Sequence, residues 1–374
     1  MVEAQPSIRS GTGFLLFRHG LPIVQARPLI FGILRRFVSL RATMDPISQG
    51  SIGATLAQSA SSRDKVKSAT LMGCFGGLAP DLDILIMSTT DPLLALEFHR
   101  QFTHALIFIP IGALIVTAVM HRIVAKGLRF RDAYLFCLLG YMTHGLLDAC
   151  TTYGTQLFWP FSNARFAWNS VSIVDPLFTL PILGLIITGV IKQNPRFSQI
   201  ALAWAVLYLV FGIVQRERAE ERGFALAAER GHIPIRLEAK PGFGSMLLWK
   251  IVYETENRYH VDAVRVGLNG KYYAGDSAEK LDLAKHFPWL EPGSQQALDV
   301  ERFRWFSNDY LAVDPEIPNR IIDVRYSVIP NEIEALWGID LDPEKTDDAH
   351  IEWRPLRRTT QDQIRRWTNM LMDF

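Results

Sequence analysis

The sequence predicts a mainly α-helical, polytopic membrane bundle of five to six segments, followed by a C-terminal α+β domain outside the bilayer. Three observations predict it. The 374 residues are 49% hydrophobic with a mean hydropathy of +0.11, high for a soluble chain of this length. Charge is unevenly spread: residues 1–43 carry six Arg and one acid, residues 44–215 carry 11 basic and 9 acidic residues, and residues 216–374 carry 22 and 28. Apolar stretches near the length of a bilayer crossing lie only in the charge-poor middle. The division is therefore a basic N-terminal extension (1–43), a membrane-embedded domain (44–215) and a soluble C-terminal domain (216–374).

Taken in order, the extension is apolar in places, but Arg18, Arg27, Arg35 and Arg36 interrupt every window long enough to span, and no signal-peptide core is present. Either Met44 is the natural start, or 1–43 is a basic cytoplasmic arm. The stretch 46–60 is short and rich in small residues, as in a half-buried helix packed against others. The stretch 69–88 is apolar but broken by Gly76-Gly77, Pro80, Asp81 and Asp83. Four further apolar segments follow at 103–121, 133–150, 174–191 and 199–215. Loops 61–68, 121–132 and 192–198 are basic, whereas 89–102 and 151–173 hold only Arg100 and Arg165. The positive-inside rule puts the first set in the cytoplasm, and five crossings then put 216–374 outside. In the tail, alternating runs such as IPIRLEA, MLLWKIVYETE, YHVDAVRVG and RIIDVRYSVI predict strands. The final TTQDQIRRWTNMLMDF predicts an amphipathic helix.

Composition excludes several classes. A net charge of +1 points to no nucleic acid and to no acidic partner, and three Cys exclude a disulfide scaffold. Membrane lipids are the expected partners, and the sequence singles out no protein partner.

Charged groups at membrane depth are costly and point to function. Asp81, Asp83, His104, His144, Asp148 and Asp175 lie in or beside apolar segments, with His99 just before one. On the predicted topology all share one membrane face. His144 and Asp148 are i and i+4, on one side of a helix. Asp81 and Asp83 follow Ala79-Pro80, on a break. His99 and His104 are i and i+5, splayed by about 140° on a straight helix, so a bend between them is needed for both to converge. Three His and three Asp suit one divalent ion or a close pair: zinc, with manganese or iron as alternatives. Arg100 could hold an anion or stabilise developing negative charge. The same residues could instead form a proton or ion relay, or structural polar packing. Asp175-Pro176 also reads as a helix N-cap followed by Pro in the first turn.

The ordered series Leu78-Ala79-Pro80-Asp81-Leu82-Asp83, His99-Arg100-Gln101-Phe102-Thr103-His104, Thr143-His144-Gly145-Leu146-Leu147-Asp148 and Gln156-Leu157-Phe158-Trp159-Pro160 resembles the YdjM/YbcI-like family of bacterial inner-membrane, metal-dependent hydrolases. The resemblance covers about 44–191, with 215 as its outer limit. It implies a divalent-metal hydrolase of the inner membrane with Asp83, His99, His104, His144 and Asp148 as metal ligands and Asp81 and Arg100 as catalytic groups. Some family members have a His where this chain has Gln49, a poor zinc ligand, so Gln49 and Asp175 are possible ligands or supporting residues. The expected function is hydrolysis of a phosphoester or other ester on a lipid or lipid-linked substrate, with the site and tail on the periplasmic side. The alternatives are an ion or proton-coupled transporter using the same residues, and a metal-stabilised scaffold for the tail.

Overall fold

The computed structural model describes residues 45–267, 270–357 and 359–372, so the two readings of 1–43 lie outside the described residues. Helix α1 (Pro46–Ser59) starts where Asp45 accepts a hydrogen bond from Ile47 N, with Pro46 in the first turn. It packs on α2 (Val66–Leu78), which passes into a 3₁₀ stretch, Ala79–Leu85. A short helix α3 (Leu94–Phe98) and two 3₁₀ turns lead into α4 (Ile109–Val124). Then come α5 (Phe130–Cys150), α6 (Pro176–Lys192) and the long α7 (Arg196–Glu229). The change in composition at Gln215 lies inside α7, so this one helix carries the chain into the tail.

The expectation of five to six membrane segments is corrected. Among the described residues two helices are long and apolar enough to cross a membrane: Leu106–Val124, which includes α4, and α7. At 1.5 Å per residue, the 14 residues of α1 and 13 of α2 reach only about 20 Å of the roughly 30 Å hydrocarbon core. They turn small faces to each other rather than to lipid. A Cβ on Gly53 would lie 2.5 Å from Gly73 O, and one on Gly140 of α5 would lie 2.1 Å from the same oxygen, so three backbones meet there. Helix α5 has 21 residues, but Tyr141, Thr143, His144 and Asp148 lower its apolar character and about half of it is buried in protein. Helix α6 has 17 residues. Ile111, Ile115 and Val119 of α4, and Leu207, Val210 and Phe211 of α7, remain about half exposed or more. That outward apolar surface is what a lipid-facing belt requires.

The mainly α class is corrected as well, because the tail, expected to be α+β, contains two antiparallel sheets of five and four strands. The first is ordered β1 (Arg236–Pro241), β2 (Leu248–Glu254), β3 (Arg258–Arg265), β4 (Lys271–Tyr273), with β5 (Ser277–Glu279) also on β3. Strand β2 is buried along its whole length, Lys250 and Glu254 included, so its burial does not alternate. After α8 (Leu283–His286) and α9 (Gln295–Phe306), the second sheet runs β6 (Leu311–Val313), β7 (Arg320–Asp323), β8 (Trp337–Asp340), β9 (Glu352–Pro355). The final helix α10 (Gln361–Met372) places Met370, Trp367 and Leu371 against Leu248, Ala263 and Ile329.

The tail rests directly on the segments that join α2 to α4 and α5 to α6. Tyr326 Oη donates to Thr152 O, and Tyr153 packs against Tyr326 and Trp337 at 4.9 and 5.3 Å between ring centroids. Arg302 of α9 holds Asp91 at 2.8 Å and Glu97 at 2.5 Å, which fixes the segment just ahead of His99. At this seam lies a cavity of about 130 Å³ whose wall includes Lys240, Lys250 and Arg325. Lys250 Nζ donates to Ser327 Oγ and Glu332 O, both at 2.7 Å, without a carboxylate partner among the described residues.

Burial brings the Lys250 ammonium down to about 7. Unfolding therefore takes up a proton between about pH 7 and the ordinary value of 10.5, and stability rises with pH across that window. Thermal unfolding of the detergent-solubilised chain is expected to move upward from pH 7 to pH 9. The rise should flatten in Lys250→Met; an unchanged slope in that variant would remove Lys250 as its source.

Candidate metal centre

The break after α2 sets the geometry. Pro80 lacks an N–H, and the 3₁₀ winding of 79–85 turns about 120° per residue. Asp81 and Asp83 therefore point to different neighbours. Asp81 Oδ1 lies 3.4 Å from His144 Nε2 and 3.6 Å from His104 Nε2. Asp83 Oδ1 lies 2.7 Å from His99 Nδ1, while its Oδ2 accepts from Thr103 Oγ1 at 2.8 Å and from Arg100 N at 3.1 Å.

His99 and His104 converge because the chain bends between them. Arg100 is a non-glycine residue in the left-handed region, at φ 67°, and the Asp83 carboxylate on its N–H holds that turn. The two imidazoles stand nearly perpendicular, 5.7 Å apart. From α5, His144 and Asp148 project into the same space. His144 Nδ1 donates to Gly77 O at 2.6 Å, which leaves Nε2 as the nitrogen available to a metal. That nitrogen is 2.9 Å from His104 Nε2, and His104 Nε2 is 3.2 Å from Asp148 Oδ2.

Two groups of ligand atoms result, each within 4.8 Å internally: Asp81, His104, His144 and Asp148; and Asp81, Asp83 and His99. Asp81 belongs to both. The donor set fits a divalent ion. Two Nε2 atoms facing each other at 2.9 Å repel unless a cation or proton lies between them. Asp81 Oδ1, Asp148 Oδ2 and His99 Nε2 are buried without a hydrogen-bond partner. Ligands at about 2.0–2.1 Å in a tetrahedron sit about 3.3 Å apart, the scale of the separations found here.

Electrostatics agree. Burial opposes ionisation of Asp83, but hydrogen bonds from His104 and His99 outweigh it and hold the carboxyl well below the usual range. His104 is held well above its usual value despite its burial, by hydrogen bonds to Asp148, Asp81 and Asp83. A metal ion must displace that proton.

The remaining expected residues fall in other places. Arg100 is buried; its Nε lies 3.1 Å from Asp148 Oδ2 and its Nη1 donates to Thr151 Oγ1. Gln49 Nε2 donates to Asp148 Oδ1 at 2.8 Å, so it orients a candidate ligand from behind. Asp175 is in neither group: it caps α6 by accepting from Leu177 N and Phe178 N, and it also accepts from Tyr208 Oη. Sequence reasoning missed Thr103, the Gly77 carbonyl and Arg302. Thr103 adjoins His104 and could have been read as its support; a backbone carbonyl and a residue some two hundred positions away leave no local signal.

Residues 44–219 match the model of the YdjM inner membrane protein family. The chain is 27% identical over 176 residues to the uncharacterized protein YfhP of Bacillus subtilis, covering 46% of this chain and 50% of that protein. It is 30% identical over 105 residues to the inner membrane protein YbcI of Escherichia coli, covering 27% of this chain and 60% of that one. The matches thus span between half and two thirds of these relatives' length, and neither name states an activity. No solved structure matches.

Proposed function

Because residues 44–219 match the model of the YdjM inner membrane protein family, we propose that the chain is a membrane-bound, metal-dependent hydrolase acting on a phosphoester or other ester of a lipid or lipid-linked substrate. One observation carries the reading: Asp81 is shared by two groups of buried and half-buried His and Asp that together offer six candidate ligand residues. Zinc is the proposed ion, since imidazole and carboxylate donors at these spacings suit it, with manganese or iron as alternatives. A divalent ion supplies Lewis-acid activation of water and of the ester oxygen.

The chain's own groups do the rest. Asp81, the most accessible carboxylate of the cluster, would accept a proton from attacking water. Arg100, fixed by Asp148 and Thr151, would face charge that develops on the leaving side. Asp83, His99 and Thr103 would keep His104 oriented. The basic segments 121–131 and 192–196 lie at the opposite ends of α4 and α6 from this cluster, which supports a periplasmic site and tail.

Metal content of the detergent-purified chain tests this, with His144→Ala/Asp148→Ala beside the wild type and folding checked by size exclusion. Stoichiometric metal in the wild type, lost in the folded double variant, is the expected result. A second reading, a proton or ion relay, is favoured by the unbroken chain His99–Asp83–His104–His144. A folded wild type that takes up no metal even after reconstitution would overturn the hydrolase and leave the relay.

A further inference from the structure

Beside the ligand cluster, the loop 151–169 gathers buried polar atoms that nothing satisfies. Arg100 Nη2, Gln156 Oε1 and Nε2, Thr155 Oγ1, and Arg165 Nε and Nη1 are all buried without a hydrogen-bond partner. A buried polar group left unpaired destabilises the fold, and more so if charged, so a concentration of them calls for an occupant.

The loop is built to bring these groups together. Gln156 N donates to Arg100 O at 3.0 Å, which ties the loop to the residue already bonded to Asp148. Thr155 and Phe166 pair as an antiparallel bridge, so Arg165 folds back over Gly154 and its Nη2 donates to Gly154 O. Only glycine suits position 154: its φ is 81°, and a Cβ there would lie 2.9 Å from Arg165 Cβ.

The charge balance is one-sided. Asp148 compensates Arg100, and Asp323 compensates Arg325. Among the described residues no carboxylate lies within ion-pair distance of Arg165. Its guanidinium lies over Trp305 and Phe306, at 5.5 and 5.1 Å from their ring centroids. Burial, then Arg100 and Arg325, bring it down to about 9. Aromatic faces offset part of the cost of such a cation but satisfy none of its N–H groups.

We infer that Arg165, Gln156 and the free Nη2 of Arg100 form a seat for a phosphate-type oxyanion next to the ligand cluster. It rests on the hydrolase reading and narrows that reading to substrates bearing a phosphate. A tetrahedral oxyanion accepts on several oxygens at once, which matches donors on more than one edge of Arg165 and the amide of Gln156. The phosphate could belong to a phospholipid headgroup or to a soluble ester.

The test uses the full chain in lipid-free detergent, stripped of metal with EDTA so that binding reports the arginines alone. Inorganic phosphate is titrated by calorimetry and by tryptophan fluorescence, for which Trp305 is an adjacent reporter. Wild type should bind phosphate at least tenfold more tightly than Arg165→Met, with Arg165→Lys between them and Gln156→Leu weakened several-fold. Equal affinity in Arg165→Met and Gln156→Leu would overturn the seat, whatever happens to stability, and so would a wild type indifferent to phosphate and to micelles doped with phosphatidylglycerol. Binding of doped micelles but not of inorganic phosphate, lost in Arg165→Met, assigns the seat to a headgroup; binding of both assigns it to phosphate generally. If Arg165→Met does not fold, Gln156→Leu decides. Metal content is read in parallel: retained metal without phosphate binding defeats only the seat, and Arg165-dependent phosphate binding without metal defeats only the hydrolase reading.

Discussion

Asp81→Asn is expected to empty both ligand groups at once. Its Oδ1 is the buried, unbonded oxygen that faces His104 and His144, and Asp81 is the residue the two groups share. The amide keeps the size of the carboxylate and removes its charge, so packing is preserved while ligation is lost. Metal affinity should fall by more than the roughly 10–100-fold typical of losing an outer-shell partner. Gln49→Leu supplies that comparison, because Gln49 supports Asp148 from behind rather than facing the shared space. Thermal unfolding with and without zinc reads both. Metal at about 100 times its Kd stabilises a native state by about 2.7 kcal/mol, an increment the wild type should show, Gln49→Leu should show in part and Asp81→Asn should lack. Full stabilisation of Asp81→Asn by zinc would mean that Asp81 is not a ligand.

The candidate ligand cluster shows how far the sequence could be read. Polar groups in an apolar stretch announce themselves, and i, i+4 spacing is enough to put His144 and Asp148 together. The convergence of His99 and His104 required a bend that the spacing could only demand; it is made by the left-handed Arg100, whose N–H bonds Asp83. Asp175 was ambiguous between ligand and cap because both uses need a carboxylate, and its hydrogen bonds to the start of α6 decide for the cap. Arg165 and Gln156 have no periodicity and sit in a loop whose path is set by the Thr155–Phe166 bridge and by the tail packed upon it, so their sequence neighbours say nothing of Arg100.

The membrane count failed for a different reason. A hydropathy window adds up apolar side chains without asking where they face or how far the helix runs. It treats small residues that bury themselves against other helices like large ones that face lipid. In α1 and α2 the glycines are there for helix contact, and the helices end well short of a crossing. Strands in the tail were legible where runs were long, as in β1 to β3. The three- and four-residue strands β6, β8 and β9 carry too few positions for an alternation to register.

Those glycines make the second large prediction: Gly140→Ala should unseat the fold and the metal centre together. The added Cβ would meet Gly73 O at 2.1 Å, more than 1 Å inside ordinary contact, and the atom it meets is backbone that cannot rotate away. Overpacking a core that can adjust costs about 1–3 kcal/mol, and a backbone-on-backbone clash should reach or exceed the top of that range. Helix α5 must then shift away from α2. Helix α5 carries His144 and Asp148, while α2 carries the Gly77 carbonyl that fixes His144 and leads into Asp81 and Asp83. Stability and metal affinity should therefore fall together, read by thermal unfolding and by metal content of whatever folded protein survives. Gly184→Ala is the matched control, since it also lies inside an apolar helix but a Cβ there has nothing within 4 Å. Removing glycine from that helix interior should stabilise by up to about 1 kcal/mol and leave the metal untouched. If Gly140→Ala is as stable and as well loaded as the wild type, then α2 and α5 do not touch through their backbones, and the close approach that brings four ligand residues from two elements to one point is not what assembles this site.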